Sequence, residues 1–337
     1  MFVLVAVVVW VANTSLFASR ESDIKVLAHR GVTQTTSTTL GNDDCFASVI
    51  DPPRHEYVEN TIASVRAAFD LGADGVEVDV HPTTDGEFVV FHDWTLDCAT
   101  DGTGVTREQT STYIQGLDPA YRYTADGGST YPLRGRWAGQ IPLLSEVLAE
   151  FPDRLIFINV KSNDPAEGDA LARYLIERSQ ATSRLMVYGG EEPIARLREA
   201  APQVRSFSKA TVMRDLLAYE LVGWTGYVPG RLRDSVVTLP LAQARWLWGW
   251  PARFSDRMSG ANTEVLLVKS AGTYGEYFDR PEDLEQIPPG FRGYTVTNEV
   301  EAITTALRDR AAVDRAVFDG GAGVRDKDRA TAALRKP

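Results

Sequence analysis

At 337 residues, 44% hydrophobic and 24% charged, the chain has the composition of a globular protein with ample apolar side chains for a large core. A formal net charge of −11 argues against a general nucleic-acid binder and against electrostatic docking on an anionic membrane. No internal repeat, low-complexity tract or long linker divides the sequence.

Residues 2 to 12, FVLVAVVVWVA, form an unbroken apolar run. It is too short for an ordinary membrane span and suits a signal-peptide core or a truncated signal anchor. Residues 1–20 are therefore read as a signal peptide or amino-terminal membrane anchor, and residues 21–337 as one domain. Lys25 to Ala28 is a short apolar strand ending in His29-Arg30-Gly31. A polar insert follows, and then Glu59-Asn60-Thr61 opens a helix with Ile62, Val65, Ala68 and Phe69 at helical spacing. Asn60 or Thr61 can cap its start, and Gly72 suits the position after its end.

From Gly75 the period changes to two. Val76, Val78 and Val80 share one face of a strand, and Glu77, Asp79 and His81 share the other. Two carboxylates facing one space repel unless a cation or a shared proton lies between them. Asp85-Gly86 is a turn signal, and the apolar run Phe88 to Phe91 then delivers His92-Asp93 back to the same region. Two carboxylates and a histidine so close together suggest a hard-metal site with an acid–base group beside it.

Residues 103 to 140, rich in Gly, Thr and Tyr, read as an excursion over the mouth of the fold. Helices are expected over 142–151, 166–179 and 193–200, and strands over 154–161 and 184–188. Further short strands are expected at 204–207, near 226–229, and at 236–239, 265–268 and 293–297. Repeated alternation of strand and helix implies parallel strands, in a barrel or an open sheet. The run WLWGWP, Trp246 to Pro251, offers either an apolar wall for a lipid or alcohol group or packing at the barrel's rim, and packing is preferred.

The ordered set HRG, ENT, GAD-x-VEVDV, T-x-DG and VVFHD, with T-x-G-x-G behind it, resembles the glycerophosphodiester phosphodiesterase family. That family lies in the phosphatidylinositol-phospholipase-C-like phosphodiesterase superfamily. The match runs from Val26 to about Gly104, with weaker echoes to Thr297-Asn298. Any one motif is weak, but the ordered set is specific. The resemblance implies an α/β fold, a (β/α)₈ TIM barrel with an insertion between the first strand and the first helix. In such barrels the site lies at the C-terminal strand ends. His29, Glu77, Asp79, Asn159, Lys161 and Lys269 all lie at or near predicted strand ends.

The same resemblance implies one divalent cation, Ca²⁺ or Mg²⁺, on Glu77 and Asp79. It implies an acid–base pair in His29 and His92, with a neighbouring glycerol hydroxyl attacking phosphorus and water opening the cyclic phosphate. Arg30 would bind phosphate oxygens or pair with Glu59. Lys161 would lie near the phosphate, with Glu59 and Asn60 in support. One departure stands out. The family commonly carries a third metal-binding glutamate where this chain has Asn159, whose carbonyl can ligate the ion but lacks the charge.

Cys45 lies in the insert and Cys98 follows the His92-Asp93 motif, so motifs that meet at one site make them a candidate disulfide, closing a loop worth ~4 kcal/mol in the entropy model. A disulfide fits an oxidising, extracytoplasmic location, periplasmic or secreted. The expected function is metal-dependent hydrolysis of glycerophosphodiesters to an alcohol and glycerol phosphate. The alternatives are a lysophospholipase-D- or sphingomyelinase-D-like enzyme acting on lipids, and a catalytically lapsed phosphate-binding barrel. The expected partners are a small phosphodiester or lysolipid and, through the amino terminus, a membrane. Neither nucleic acid nor a protein partner is expected.

Overall fold

A computed structural model describes residues 2–19, 21–38, 44–178, 182–270 and 277–312. Met1, Arg20, Ser179 at the end of a predicted helix, and residues 313–337 of the predicted domain lie outside the described residues. The apolar run forms a helix, α1 (Phe2–Asn13), ahead of the barrel.

The barrel strands are β1 (Asp23–Ala28), β2 (Gly75–Pro82), β4 (Leu155–Val160), β5 (Leu185–Tyr188), β6 (Arg205–Phe207), β7 (Val236–Pro240), β8 (Glu264–Val268) and β9 (Arg292–Thr297). They run in the order β6-β5-β4-β2-β1-β9-β8-β7, and every pair along that path is parallel. Joining β6 to β7 would complete the circle, so the expected (β/α)₈ barrel is present and nearly closed. The short strand β3 (Phe88–Val90) folds back antiparallel on β2 at the Asp85-Gly86 turn.

Alternation on β2 decides what faces where. Val76, Val78 and Val80 are fully buried in the cluster that includes Val65, Ala68 and Phe69 of helix α2 (Ile62–Asp70). Each contributes ~1.5–3 kcal/mol by leaving water. Period two then forces Glu77, Asp79 and His81 onto the opposite face, into the barrel. The neighbouring β4 does the same: Ile156, Ile158 and Val160 join the outer cluster, and the register sets Asp79 beside Asn159. Thr61 caps α2 in a reciprocal box with Ser64, and Gly72 follows the helix at φ +101°.

Short helix α3 (Ser111–Gln115) lies in the excursion, and α4 (Leu144–Glu150), α5 (Pro165–Arg178) and α6 (Glu191–Ala200) follow close to their predicted ranges. Beyond them the structure departs from expectation. Residues 226–229 are not a strand; Gly226 sits at φ +86° in a turn. Four helices there were not foreseen: α7 (Lys209–Val222), α8 (Leu241–Ala244), α9 (Ala252–Gly260) and one more after β9. That last helix covers 300–312.

The expected Cys45–Cys98 disulfide is present, with Cα atoms 5.4 Å apart. It stitches the insert to the segment after His92, over a third apolar cluster that holds Ala47, Phe91, Leu96 and Tyr123.

Candidate active site

His29 leaves β1 with its N–H bonded to the Thr297 carbonyl at 2.9 Å, so the ring stands where β1 and β9 end. Its Nδ1 lies 2.8 Å from Asn298 Oδ1. Asn298 in turn donates from Nδ2 to Asp279 Oδ2 at 3.0 Å, which fixes the amide with its oxygen toward the imidazole. An amide oxygen only accepts, so the His29 proton sits on Nδ1 and Nε2 is left unprotonated, 3.9 Å from Glu77 Oε2. Burial and the Arg30 charge push this imidazole down to a pKa of about 3. The Tyr277 ring covers it at 4.7 Å between centroids.

Two left-handed turns hold the next residues. Arg30 adopts φ +61° and Asn60 φ +58°. Gly31 between strand and insert must be glycine: a Cβ there would lie 2.6 Å from Ser64 Oγ. Arg30 donates from its backbone N–H to Glu77 Oε2 at 3.1 Å, and its guanidinium bonds Glu59 Oε1 at 3.0 Å. Thr33 Oγ1 donates to the other Glu59 oxygen at 2.9 Å. Asn60 and Asp79 clamp each other: Asn60 Nδ2 donates to Asp79 Oδ2, and Asp79 N–H donates to Asn60 Oδ1, both at 3.1 Å.

Asp79 is wholly buried and saturated. Its Oδ1 receives Asn159 Nδ2 at 3.0 Å and Lys161 Nζ at 3.3 Å, and its Oδ2 lies 3.2 Å from Arg30 Nε. Burial alone would raise its pKa, but Lys161, His92 and Arg30 outweigh that and hold it well below the usual carboxylate range. Glu77 goes the other way. Burial and the Asp79 charge push it up to about 8. Arg30 Nε and Lys161 Nζ lie against Asp79, while Glu77 is held by the Arg30 backbone N–H and the Asn159 amide, so the two cations only partly offset its burial.

His92 arrives from the far side of the hairpin. Its Nδ1 lies 2.8 Å from Asp93 Oδ1, and its Nε2 is buried with no hydrogen-bond partner among the described residues. His81 lies 3.3 Å from the His92 carbonyl through Nε2 and packs edge-on against Trp94 at 5.8 Å, so it supports the loop from beneath. A small pocket opens beside His92 under the disulfide, lined by Phe46, Val58, Phe91, Ala99 and Tyr123, with Glu59, Asn60 and Asp93 at its polar edge.

The structure thus gathers His29, Arg30, Glu59, Asn60, Glu77, Asp79, Asn159 and Lys161 into one network, with His92 beside it. It separates Lys269, which pairs with Asp283 at 3.0 Å. The tryptophan run is also remote from this network. Trp250 packs on Phe254 and Phe291 at the end where strands begin, while Trp246 is 72% exposed.

Two residues escaped sequence reasoning as participants. Asp93 could have been found, since it adjoins His92. Asp279 lies in a stretch without strand or helix signal, and only the fold brings it to Asn298.

Among the described residues, no three His, Cys, Asp or Glu side chains converge as metal ligands. The oxygen set on hand is Glu77, Asp79 and, as third donor, the Asn159 amide. That set fits a hard cation: Glu77 is a buried carboxylate with no cationic side chain hydrogen-bonded to it. In the present arrangement Asn159 turns its nitrogen to Asp79.

The model of the glycerophosphoryl diester phosphodiesterase family matches residues 29–273. The chain belongs to this family. A glycerophosphodiester phosphodiesterase of Caldanaerobacter subterraneus subsp. tengcongensis is 38% identical over 104 residues, 31% of this chain and 39% of that protein. Human glycerophosphodiester phosphodiesterase 1 is 35% identical over 136 residues, 40% of this chain and again 39% of the relative. The chain thus aligns with about two-fifths of the length of these relatives.

Solved structures share the fold. The glycerophosphoryl diester phosphodiesterase domain of an uncharacterized Mycobacterium tuberculosis protein superimposes with a TM-score of 0.60 at 18% identity, covering 84% of this chain and 98% of that one. An Oleispira antarctica phosphodiesterase in complex with the product sn-glycerol-3-phosphate gives 0.54 at 17% identity, covering 84% and 96%.

Proposed function

We propose that the chain hydrolyses glycerophosphodiesters to an alcohol and glycerol phosphate. The observation that carries this reading is the pair of histidines, His29 after β1 and His92 after β3, each with Nδ1 held by an oxygen partner. This leaves each Nε2 for a reacting oxygen. Family membership and the product complex of the Oleispira antarctica relative support the substrate class.

The partners of the two rings assign their roles. Asn298 is a neutral acceptor, so His29 enters as free imidazole and takes the proton of the attacking hydroxyl on Nε2. Asp93 Oδ1 holds His92 through Nδ1 at 2.8 Å, so its Nε2 is the atom that hands a proton to the departing alcohol oxygen. If a neighbouring glycerol hydroxyl attacks, the cyclic phosphate is opened by water with the two roles reversed. Arg30 and Lys161 supply positive charge for the phosphate oxygens, and Glu59 holds the Arg30 fork in place. Glu77, Asp79 and the Asn159 oxygen would hold a divalent cation. When bound, that ion supplies charge neutralisation for the phosphate.

The Cys45–Cys98 bond supports an oxidising, extracytoplasmic location. A second reading rests on Asn159 alone: a barrel that binds phosphorylated ligands without turning them over.

The test is choline release from glycerophosphocholine with Ca²⁺, with Mg²⁺ and with chelator, for wild type and Asn159→Glu. Cation-dependent release by wild type, with tighter cation dependence in Asn159→Glu, is the expected outcome. A silent wild type beside an active Asn159→Glu would establish the lapsed barrel instead.

A further inference from the structure

Three segments far apart in sequence meet at the end of the barrel where the strands begin. Arg257 of α9 is their hub. It donates to Asn13 Oδ1 at 3.0 Å and the Ala12 carbonyl at 3.2 Å, where α1 ends. It also donates to Tyr219 Oη and the Gly223 carbonyl, both at 2.9 Å, where α7 ends, and to the Trp248 carbonyl at 3.2 Å. Asn13 Nδ2 adds a bond to the Trp224 carbonyl at 2.8 Å. One guanidinium therefore sets α1, α7 and the tryptophan run in a single surface.

The outside of that surface is apolar. Met213, Leu217 and Leu221 recur every fourth residue along the outer face of α7, 50%, 62% and 77% exposed. Trp224 follows just after α7, Trp248 ties the tryptophan run to α7 by donating its indole N–H to the Glu220 carbonyl at 3.0 Å, and Trp246 of that run and Val8 of α1 are 72% and 59% exposed. A helix as uniformly apolar as α1 belongs in a protein core or in lipid, and an apolar patch of this extent marks an interaction face.

Charge identifies the partner. The chain as a whole carries −11, yet residues 209–260 hold seven basic side chains against four acidic ones. Arg214, Arg231, Arg233 and Arg245 are exposed among them, and Arg245 lies 5.1 Å over the Trp246 ring. Two copies of a basic face repel each other, whereas an anionic lipid surface attracts one. Tryptophans flanked by arginines suit the head-group layer, where an apolar body and a polar edge are both satisfied.

We propose that α1, the outer stripe of α7 and Trp246 form a face that docks on an anionic bilayer. The described part of α1, twelve residues, extends about 18 Å, and no helix among the described residues is long and apolar enough to cross a membrane. The regional charge reverses the expectation drawn from the net charge alone. His29 lies at the far end of β1, about 20 Å from the end where Arg257 gathers α1 and the last turn of α7, and the α7 stripe runs along the barrel's flank, so docking through it leaves the site-bearing mouth facing along the surface and open to water. Given the phosphodiesterase reading, this geometry favours a water-soluble phosphodiester over a lipid in the same bilayer.

The test is flotation with extruded vesicles of phosphatidylcholine containing a quarter phosphatidylglycerol. Wild type should float with them, and Leu217→Glu/Leu221→Glu/Trp246→Glu should partition at least about tenfold more weakly with an unchanged circular dichroism spectrum. Wild type left unbound, or a variant that floats equally well, would overturn the proposal. So would a wild-type dimer in sedimentation that the triple substitution splits into monomers, since the face would then be homotypic. Binding is read without turnover, so an inactive protein that floats would sink only the phosphodiesterase reading. Turnover of glycerophosphocholine should be equal on and off the vesicles; a tenfold fall on binding would show the mouth pressed to the surface.

Discussion

The two halves of the barrel are built from the same units and put to different use. Strands β9, β1, β2 and β4 carry, within them or just after them, Asn298, His29, Glu77, Asp79, Asn159 and Lys161, which contact one another in a chain of hydrogen bonds and ion pairs. Strands β5 to β8 carry apolar or outward-paired residues at the same level: Phe207 packs between Phe157 and Tyr188, and Lys269 is engaged by Asp283. A buried charge is tolerable only among partners, so the charged residues cluster on adjacent strands. The other half is free to be shaped by packing alone.

That contrast makes separable predictions. The largest effect should come from the packing half. Phe254 is fully buried against Tyr219 and Trp250, and Phe254→Ala should cost about 3–5 kcal/mol in chemical denaturation while choline release per folded molecule stays within twofold. A matching loss of kcat in the folded fraction would mean that the halves are not independent.

In the polar half, Asn298→Leu should do the reverse. Removing the acceptor frees the His29 tautomer and should lower kcat by about tenfold with little change in KM, leaving thermal stability nearly intact. The pH profile of kcat should shift as well, which a merely structural role would not produce. Asp279→Asn should repeat this effect more weakly.

The smallest effect concerns His55, at the edge of the insert. Its Nδ1 lies 3.1 Å from Gln34 Nε2 and its Nε2 lies 3.2 Å from the Thr33 carbonyl, an arrangement that suits the neutral ring. Burial lowers its pKa below 6.5 in the folded chain, so the unfolded chain binds the proton first as pH falls. The stability it contributes is complete above that unfolded value and is lost as pH drops through the folded one. Tm measured from pH 8 to 5.5 should fall less steeply in His55→Asn than in wild type.

The same contrast explains what could be read from sequence. The polar half was legible because its motifs are dense and lie at strand ends: β2 shows clean alternation, and α2 carries a cap, an apolar stripe and a terminal glycine. The family pattern also made Asn159 visible as a departure. The packing half hid its longest helix. α7 buries Val212 and Tyr219 on one side and exposes Met213, Leu217 and Leu221 on the other, so no single apolar stripe announces it. Tyr227 and Val228 resembled a strand, but the left-handed Gly226 breaks one there. Asp279 gave no signal at all, because its role depends on a contact across the barrel mouth.

The measurement that bears most directly on the central claim is choline release from glycerophosphocholine by wild type, His29→Ala and His92→Ala, each at matched folded concentration. The two-histidine account predicts a fall of about 10² or more in kcat for each variant with Tm unchanged. Near-normal turnover in either variant would contradict it, because a ring that can be removed without loss is not moving a proton in the rate-limiting step.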